Sequence, residues 1–325
     1  MRAAVCPEYG PPEVVRIEEV PAPEAGRGKV RVDVHAASVN FPDVLICANE
    51  YQVTVPPPFI PGSEFAGVVE SVGEGVEAFA VGDRVFGTLM VGAFAEQAVV
   101  GATALSRTPD AISHAQAAAF GVAHRTAYHS LCSVADLQPG EDVIVLGAGG
   151  GVGLAAVQLA VALGATVTAV ASSAEKLAAA AAMGATHLVN HRDGELRAAL
   201  KETLPGGADV VIDPVGGALS EPSLRALHYG GRFVVVGFAA GEIPRIPLNL
   251  VLLKGCRIMG FEFRSFMTKE TAAMLRGEAE LLTLLAAGRA TPHVGATFPL
   301  EEAAAALRYV GDGNAIGKVV LAVRP

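Results

Sequence analysis

From Val143 to Ala174 the chain runs for 32 residues without a charge, long enough on hydropathy alone to span a bilayer. Glycines 147, 149, 150, 151 and 153 break the run soon after it begins, which suits a buried strand, a tight turn and then a helix. Burial on both faces would account for the missing charges. From Asp142 onward strand-like and helix-like segments alternate: VIVLG, GLAAVQLAVALG, TVTAVA, AEKLAAAAAMG, HLVN, GELRAALKETL, DVVID, LSEPSLRALHYG, RFVVVG and finally CRIMGF, Cys256 to Phe261. Such alternation specifies a doubly wound parallel sheet with helices on both faces, hence an α/β fold.

The flanks read differently. Up to about residue 108 short β-type runs such as VRVDVHAASV and EFAGVVESVG are separated by Gly and Pro, predicting a small β-rich domain. Ser113 to Leu131 has helical spacing and opens on Ser113 as an N-cap. The last 60 or so residues combine helices near Thr268 to Ala287 and Leu300 to Val310 with strands around Thr291 to Phe298 and Gly317 to Val323. A lone final strand needs a partner sheet, so this tail is expected to return to the first domain. With 325 residues the chain exceeds what one core sustains. The expected domains are therefore residues 1–120 with 262–325, and residues 121–261.

Lys plus Arg number 24 against 33 Asp plus Glu, a net charge of −9, and no basic run interrupts that balance. Nucleic acid and anionic membranes are thus poor partners. Cys6, Cys47, Cys132 and Cys256 are widely separated and form no C-x-x-C, which fits free thiols in a reducing cytoplasm. The N-terminal segment MRAAVCPEYGPPEVV shows no apolar signal region before its prolines, which also points to the cytoplasm.

The turn after VIVL reads A-x-G-x-x-G, with Ala148 where the usual fingerprint has its first glycine. Gly150 would let the backbone approach a pyrophosphate, and Gly153 would let the helix pack on the strand. Gly151 and Val152 lie in the opening turn of that helix, whose N-terminus receives the anion. The second strand ends Val170-Ala171-Ser172-Ser173, with no acid before Glu175 to hold a ribose 2′-hydroxyl. Without that carboxylate a 2′-phosphate meets no repulsion, and Ser172, Ser173 and Lys176 offer donors, joined by His191 and Arg192 after the third strand. NADPH is favoured over NADH, although the same residues would also serve to cap and solvate a helix. No G-x-S-x-G, H-E-x-x-H or P-loop lysine occurs.

At VNFPDVLICANEYQ, PFIPGSEFAGVVESVGEGV, VGDRV and GAGGGVGLAAVQLA the chain resembles a medium-chain dehydrogenase/reductase of the zinc-free NADPH:quinone oxidoreductase branch. The resemblance spans nearly the whole length and implies a Rossmann coenzyme domain, a GroES-like catalytic domain built from both chain ends, and a ligand cleft between them. Zinc alcohol dehydrogenases of that superfamily carry cysteine at the place of Asn40 and histidine at the place of Ser63, and their four-cysteine lobe has no counterpart in Phe86 to Val100. Neither zinc site can form as in those relatives, so no metal is expected. Asp43 and Glu64 are expected to be structural. Without a Lewis acid, the resemblance implies hydride transfer from NADPH to a substrate that accepts it readily, a quinone or an α,β-unsaturated carbonyl.

Asn40 and Tyr51 match the branch in type and spacing as oxyanion donors, with Thr126 as a third. Nicotinamide contacts carry over to Gly237, Phe238, Phe261 and Phe263, and more weakly to Asn314 and Lys318. Each is also compatible with a purely structural role. A homodimer through CRIMGF is implied as well. Two alternatives stay open: an enoyl-thioester reductase, with Arg264 and Lys269 at a basic entrance, and a non-catalytic NADPH-binding protein.

Overall fold

The computed structural model describes residues 1–324, which form two compact units: Met1–Val122 with residues 292 onward, and Ala123–Thr291. In the first, the long strand Lys29–Val39 buries Val30, Val32 and Val34 and pairs antiparallel with Glu64–Val72, Gln97–Gly101 and Lys318–Ala322. Parallel pairing of Val294–Pro299 with Lys318–Ala322, and antiparallel pairing of Arg84–Thr88 and Leu105–Arg107 beyond Glu64–Val72, complete a seven-stranded sheet. Phe65, Phe86, Phe94 and Phe120 fill the core of this unit. Register fixes its chemistry: Val319 lies opposite Val39, and Ser38 opposite Glu64. Residues 40, 64 and 318 are thereby brought to one end of three adjacent strands.

The second unit is a six-stranded, all-parallel sheet. Its strands in chain order are Asp142–Leu146, Thr166–Ala171, His187–Asn190, Ala208–Asp213, Leu227–Val235 and Arg257–Gly260. Their spatial order is third, second, first, fourth, fifth, sixth, the doubly wound arrangement whose ligand crevice lies outside the carboxyl ends of the strands. Val143, Ile144, Val145 and Leu146 are all fully buried, which explains the uncharged run. No helix among the described residues is long and apolar enough to cross a membrane.

One boundary differs from the sequence expectation. Residues 262–291, including the helices Phe263–Lys269 and Thr271–Ala286, cluster with the second unit. Arg125 forms a two-pronged ion pair with Glu278 at 2.7 Å, Tyr128 donates to Glu280, and Gly277 lies against the rings of Tyr128 and His129. These anchors are polar or made by a missing side chain, so apolar periodicity does not reveal them.

Candidate functional site

The phosphate turn has the predicted form. Gly147 adopts φ 59°, its carbonyl accepts from Gly150 N–H at 2.9 Å, and Gly150 N-caps the helix Gly151–Ala162. No side chain caps that helix and no acid occupies its first turn, leaving the positive end of the dipole available to an anion. A Cβ on Gly153 would stand 2.1 Å from the Gly147 carbonyl, so only glycine lets the helix sit on the turn. A Cβ on Gly150 would meet nothing nearer than that carbonyl at 3.5 Å, leaving open space before the turn. These residues fit a dinucleotide pyrophosphate. Ala148 is fully buried and its N–H donates to the Val170 carbonyl, so it supports the turn from behind, with its side chain inside.

At the end of the second strand, Ser173 N-caps the next helix, Ala174–Ala182, and its hydroxyl accepts from Lys176 N–H at 3.3 Å. The capping reading of this serine holds, and the Glu175 carboxyl is held below its ordinary value by its own backbone amide and by a hydrogen bond from this serine. Half-buried Lys176 loses proton affinity first to burial and then to the charge of Arg192. His191 is lowered from its ordinary value by burial, Arg192 and Lys176. Lys176, His191 and Arg192 are thus near neighbours, and the Lys176 stem lies against the turn at Gly149.

Farther along the same sheet end, Asp213 is buried at the close of the fourth strand. Its Oδ1 accepts from the Val215 and Gly216 amides at 2.9 and 2.8 Å, and its Oδ2 from the Ser220 hydroxyl at 2.6 Å. It shapes the loop that precedes the fifth strand, a role the sequence reading missed; the acid ending DVVID was the available signal. Gly237 N–H reaches the Asp213 carbonyl, and Phe238 beside it is 39% exposed. Phe261 is buried in an aromatic cluster with Phe263, Phe266 and His129, ring centroids 6.5, 5.3 and 6.3 Å away. Its N–H donates to the Val235 carbonyl, and only Phe263 of the expected pair is half-exposed.

In the first unit, Asn40 N-caps the helix Phe41–Cys47 and is itself buried. Its amide donates to Ser63 Oγ at 3.2 Å and to Glu64 Oε1 at 2.9 Å, while its Oδ1 accepts from Lys318 Nζ at 2.5 Å. The lysine fixes the amide orientation, because an NH₂ group cannot face an ammonium. Lys318 also donates to Glu64 Oε1 at 2.7 Å, and Glu64 Oε2 accepts from Val122 N–H at 2.8 Å. Expected as a substrate donor, Asn40 has both amide hydrogens engaged inside this network. Expected at the cofactor, Lys318 is 4% exposed and neutralises a carboxylate that is 1% exposed. The reason is register, which places a lysine opposite a buried acid. Asp43 Oδ2 accepts from Asn40 N–H at 2.8 Å, and burial pushes its carboxyl up to about 7.

Tyr51 is half-buried in the loop after this helix, and Thr126 is buried on the helix Gly121–Tyr128 of the second unit. Asn314 is exposed just beyond the helix Ala303–Gly311. Among the described residues no group of three or more His, Cys, Asp or Glu could hold a metal ion.

Comparison with known proteins agrees with this geometry. The family model for zinc-binding dehydrogenases matches residues 151–277, and that for the alcohol dehydrogenase GroES-like domain matches residues 26–110. Quinone oxidoreductase-like protein 2 of Mus musculus is 39% identical over 325 residues, covering 99% of this chain and 92% of the relative. The Thermus thermophilus quinone oxidoreductase, solved alone and with NADPH, is 34% identical with a TM-score of 0.86, covering 99% of this chain and 100% of that one. The Escherichia coli quinone oxidoreductase in complex with NADPH is 29% identical with a TM-score of 0.90, at the same coverage. With both domain families matched and similarity running end to end, the chain belongs to the medium-chain dehydrogenase/reductase superfamily, as an oxidoreductase with an NAD(P)-type cofactor site.

Proposed function

We propose that this protein is an NADPH-dependent, zinc-independent reductase of quinones or α,β-unsaturated carbonyls. The observation that carries the reading is the buried Asn40–Glu64–Lys318 network. Where zinc relatives hold a cysteine, this chain has an amide locked to an ammonium, and the neighbouring acid is already neutralised. Activation of an alcohol by a metal is not what such groups are suited to. They suit a substrate already disposed to accept hydride. The similarity to quinone oxidoreductases supports the same substrate class.

When bound, reduced nicotinamide supplies the hydride. The glycine turn and the N-terminus of Gly151–Ala162 hold the pyrophosphate. Ser172, Ser173, Lys176, His191 and Arg192 meet the 2′-phosphate. Gly237, Phe238 and Phe263 line the nicotinamide end, and Tyr51 and Thr126 donate hydrogen bonds to the oxygen on which negative charge develops. Solvent provides the accompanying proton.

The reading extends to a homodimer and to the cytoplasm. The sixth strand, Arg257–Gly260, ends the parallel sheet, and around it Tyr229, Leu248, Leu252 and Leu253 are 79, 77, 80 and 70% exposed. Apolar side chains beside an open strand edge suit a second copy.

The test is oxidation of NADPH and NADH by chelator-treated protein with an ortho-quinone, a para-quinone, a 2-alkenal and a short enoyl-CoA. Turnover of a quinone or the alkenal with NADPH is expected. Turnover of enoyl-CoA alone would favour the thioester reductase, and tight NADPH binding without turnover a non-catalytic binder.

A further inference from the structure

We propose that Asp213 is a positioning residue for hydride transfer: its carboxylate fixes the loop 214–217 as a bridge between the phosphate turn and the segment 237–242 at the nicotinamide end. The inference rests on the dinucleotide reading above and adds to it a buried side chain that acts through its neighbours.

Both ends of the bridge are in contact. On one side, a Cβ on Gly147 of the turn would stand 2.7 Å from Val215 Cγ2, so the valine methyl lies directly on the turn. On the other, the Ala239 and Ala240 amides donate to the Pro214 and Val215 carbonyls at 3.2 and 2.9 Å, and the Gly217 amide donates to the Glu242 carbonyl at 3.0 Å. Gly216 packs against Phe238: a Cβ there would come within 2.8 Å of Phe238 Cδ1 and 3.1 Å of the Glu242 carbonyl oxygen. The loop turns through two consecutive residues of positive φ, 72° at Gly216 and 58° at Gly217, a region that glycine enters and leaves readily. Neither residue has a side chain to lock the turn. Asp213 supplies the lock. Its Oδ1 accepts from both the Val215 and Gly216 amides, while the fully buried Ser220 hydroxyl donates to Oδ2 and sets the plane of the carboxylate. The carbonyl of the same residue accepts from the Val236 and Gly237 amides at 2.8 and 3.3 Å, so the exit of the fifth strand is registered on Asp213 as well. The pyrophosphate is held by the glycine turn and the helix N-terminus, built from residues 147–153. What Asp213 governs is the separation between that turn and the segment carrying Phe238. Hydride transfer is sensitive to this separation, because a misplacement of about 1 Å at the reacting atoms costs on the order of 100-fold in rate.

The experiment makes three measurements on wild type, Asp213→Asn and Asp213→Ala. Calorimetry gives the dissociation constant of adenosine 2′,5′-bisphosphate, which lacks the nicotinamide. The fluorescence yield and anisotropy of bound NADPH report how firmly the nicotinamide is held, and NADPH oxidation with a para-quinone gives turnover. Asp213→Asn keeps an oxygen for the two amides and gains an NH₂ that donates to Ser220 Oγ, so all three are expected to stay within about threefold of wild type. Asp213→Ala is expected to leave bisphosphate affinity within about twofold, to lower the NADPH fluorescence yield toward that of the free cofactor and to cut kcat by about tenfold. Parallel loss of bisphosphate and NADPH binding in Asp213→Ala marks a merely structural residue and overturns the proposal, as do unchanged fluorescence and turnover. Should Asp213→Ala fail to fold, Val215→Ala decides, since it cuts the contact of the loop with the turn and leaves the carboxylate in place. The same fall in NADPH fluorescence at unaltered bisphosphate affinity is expected, and unaltered fluorescence overturns the bridge. A wild-type protein that binds neither bisphosphate nor NADPH sinks the cofactor reading and the inference with it. One that binds both without reducing the quinone counts against the substrate class alone, and the fluorescence of the variants then judges Asp213.

Discussion

Protonation of His129 is expected to weaken the second unit in acid. The imidazole is fully buried at the start of the π-helical stretch His129–Val134, between the rings of Phe261 and Phe266 and beneath Gly277, where a Cβ would come within 2.4 Å of the ring. Its Nδ1 lies 2.9 Å from the hydroxyl of Ser133, and its Nε2 has no hydrogen-bond partner. Burial, with a smaller contribution from Arg125 and against the pull of Glu278, lowers its pKa to about 4 from 6.5. The folded value lies below the unfolded one, so the neutral ring costs nothing near pH 7. As pH falls through 6.5 the unfolded chain takes up the proton first. Stability is then lost progressively until about pH 4, below which this group adds no further loss. A displacement of this size corresponds to about 3 kcal/mol. His129→Phe keeps an aromatic ring in the cage and removes the titration, while the exposed Ser133 turns to water. Urea denaturation from pH 7.5 to pH 4 is expected to show the variant losing about 3 kcal/mol less than wild type over the acid range. Parallel pH profiles for the two proteins would refute the reasoning.

Three other outcomes are expected. Lys318→Met leaves Glu64 buried without a counter-charge and should destabilise the first unit by about 3 to 5 kcal/mol, most of it recovered in the double variant with Glu64→Gln, as urea titration will measure. Tyr51→Phe should lower kcat by ~100-fold with the NADPH dissociation constant unchanged, if its hydroxyl meets the developing oxyanion; unchanged turnover removes it from the mechanism. Leu252→Glu with Leu253→Glu should convert a dimer into a monomer by light scattering, with the melting temperature of the isolated subunit preserved; an unaltered mass relocates the dimer face.

How far the site can be read from sequence depends on how far apart its parts lie. The phosphate turn, its helix and the serines at the end of the second strand lie within about thirty residues, and their geometry follows from glycine, strand and cap rules that act locally. The strand alternation is equally local, and the six parallel strands follow it. By contrast, Lys318 lies 278 positions from Asn40 and 254 from Glu64, and nothing in GNAIGKVVL announces a buried ammonium. Only the pairing of Val319 with Val39 and of Ser38 with Glu64 turns three unremarkable residues into one network. The same distance effect hid the Arg125–Glu278 anchor and moved the helices Phe263–Lys269 and Thr271–Ala286 from one unit to the other. A buried acid with no basic neighbour in sequence therefore carries its own instruction: burying a carboxylate unpaired costs several kcal/mol, so some remote strand must deliver a cation to it. Glu64, lying in an apolar strand, was the residue from which Lys318 could have been sought.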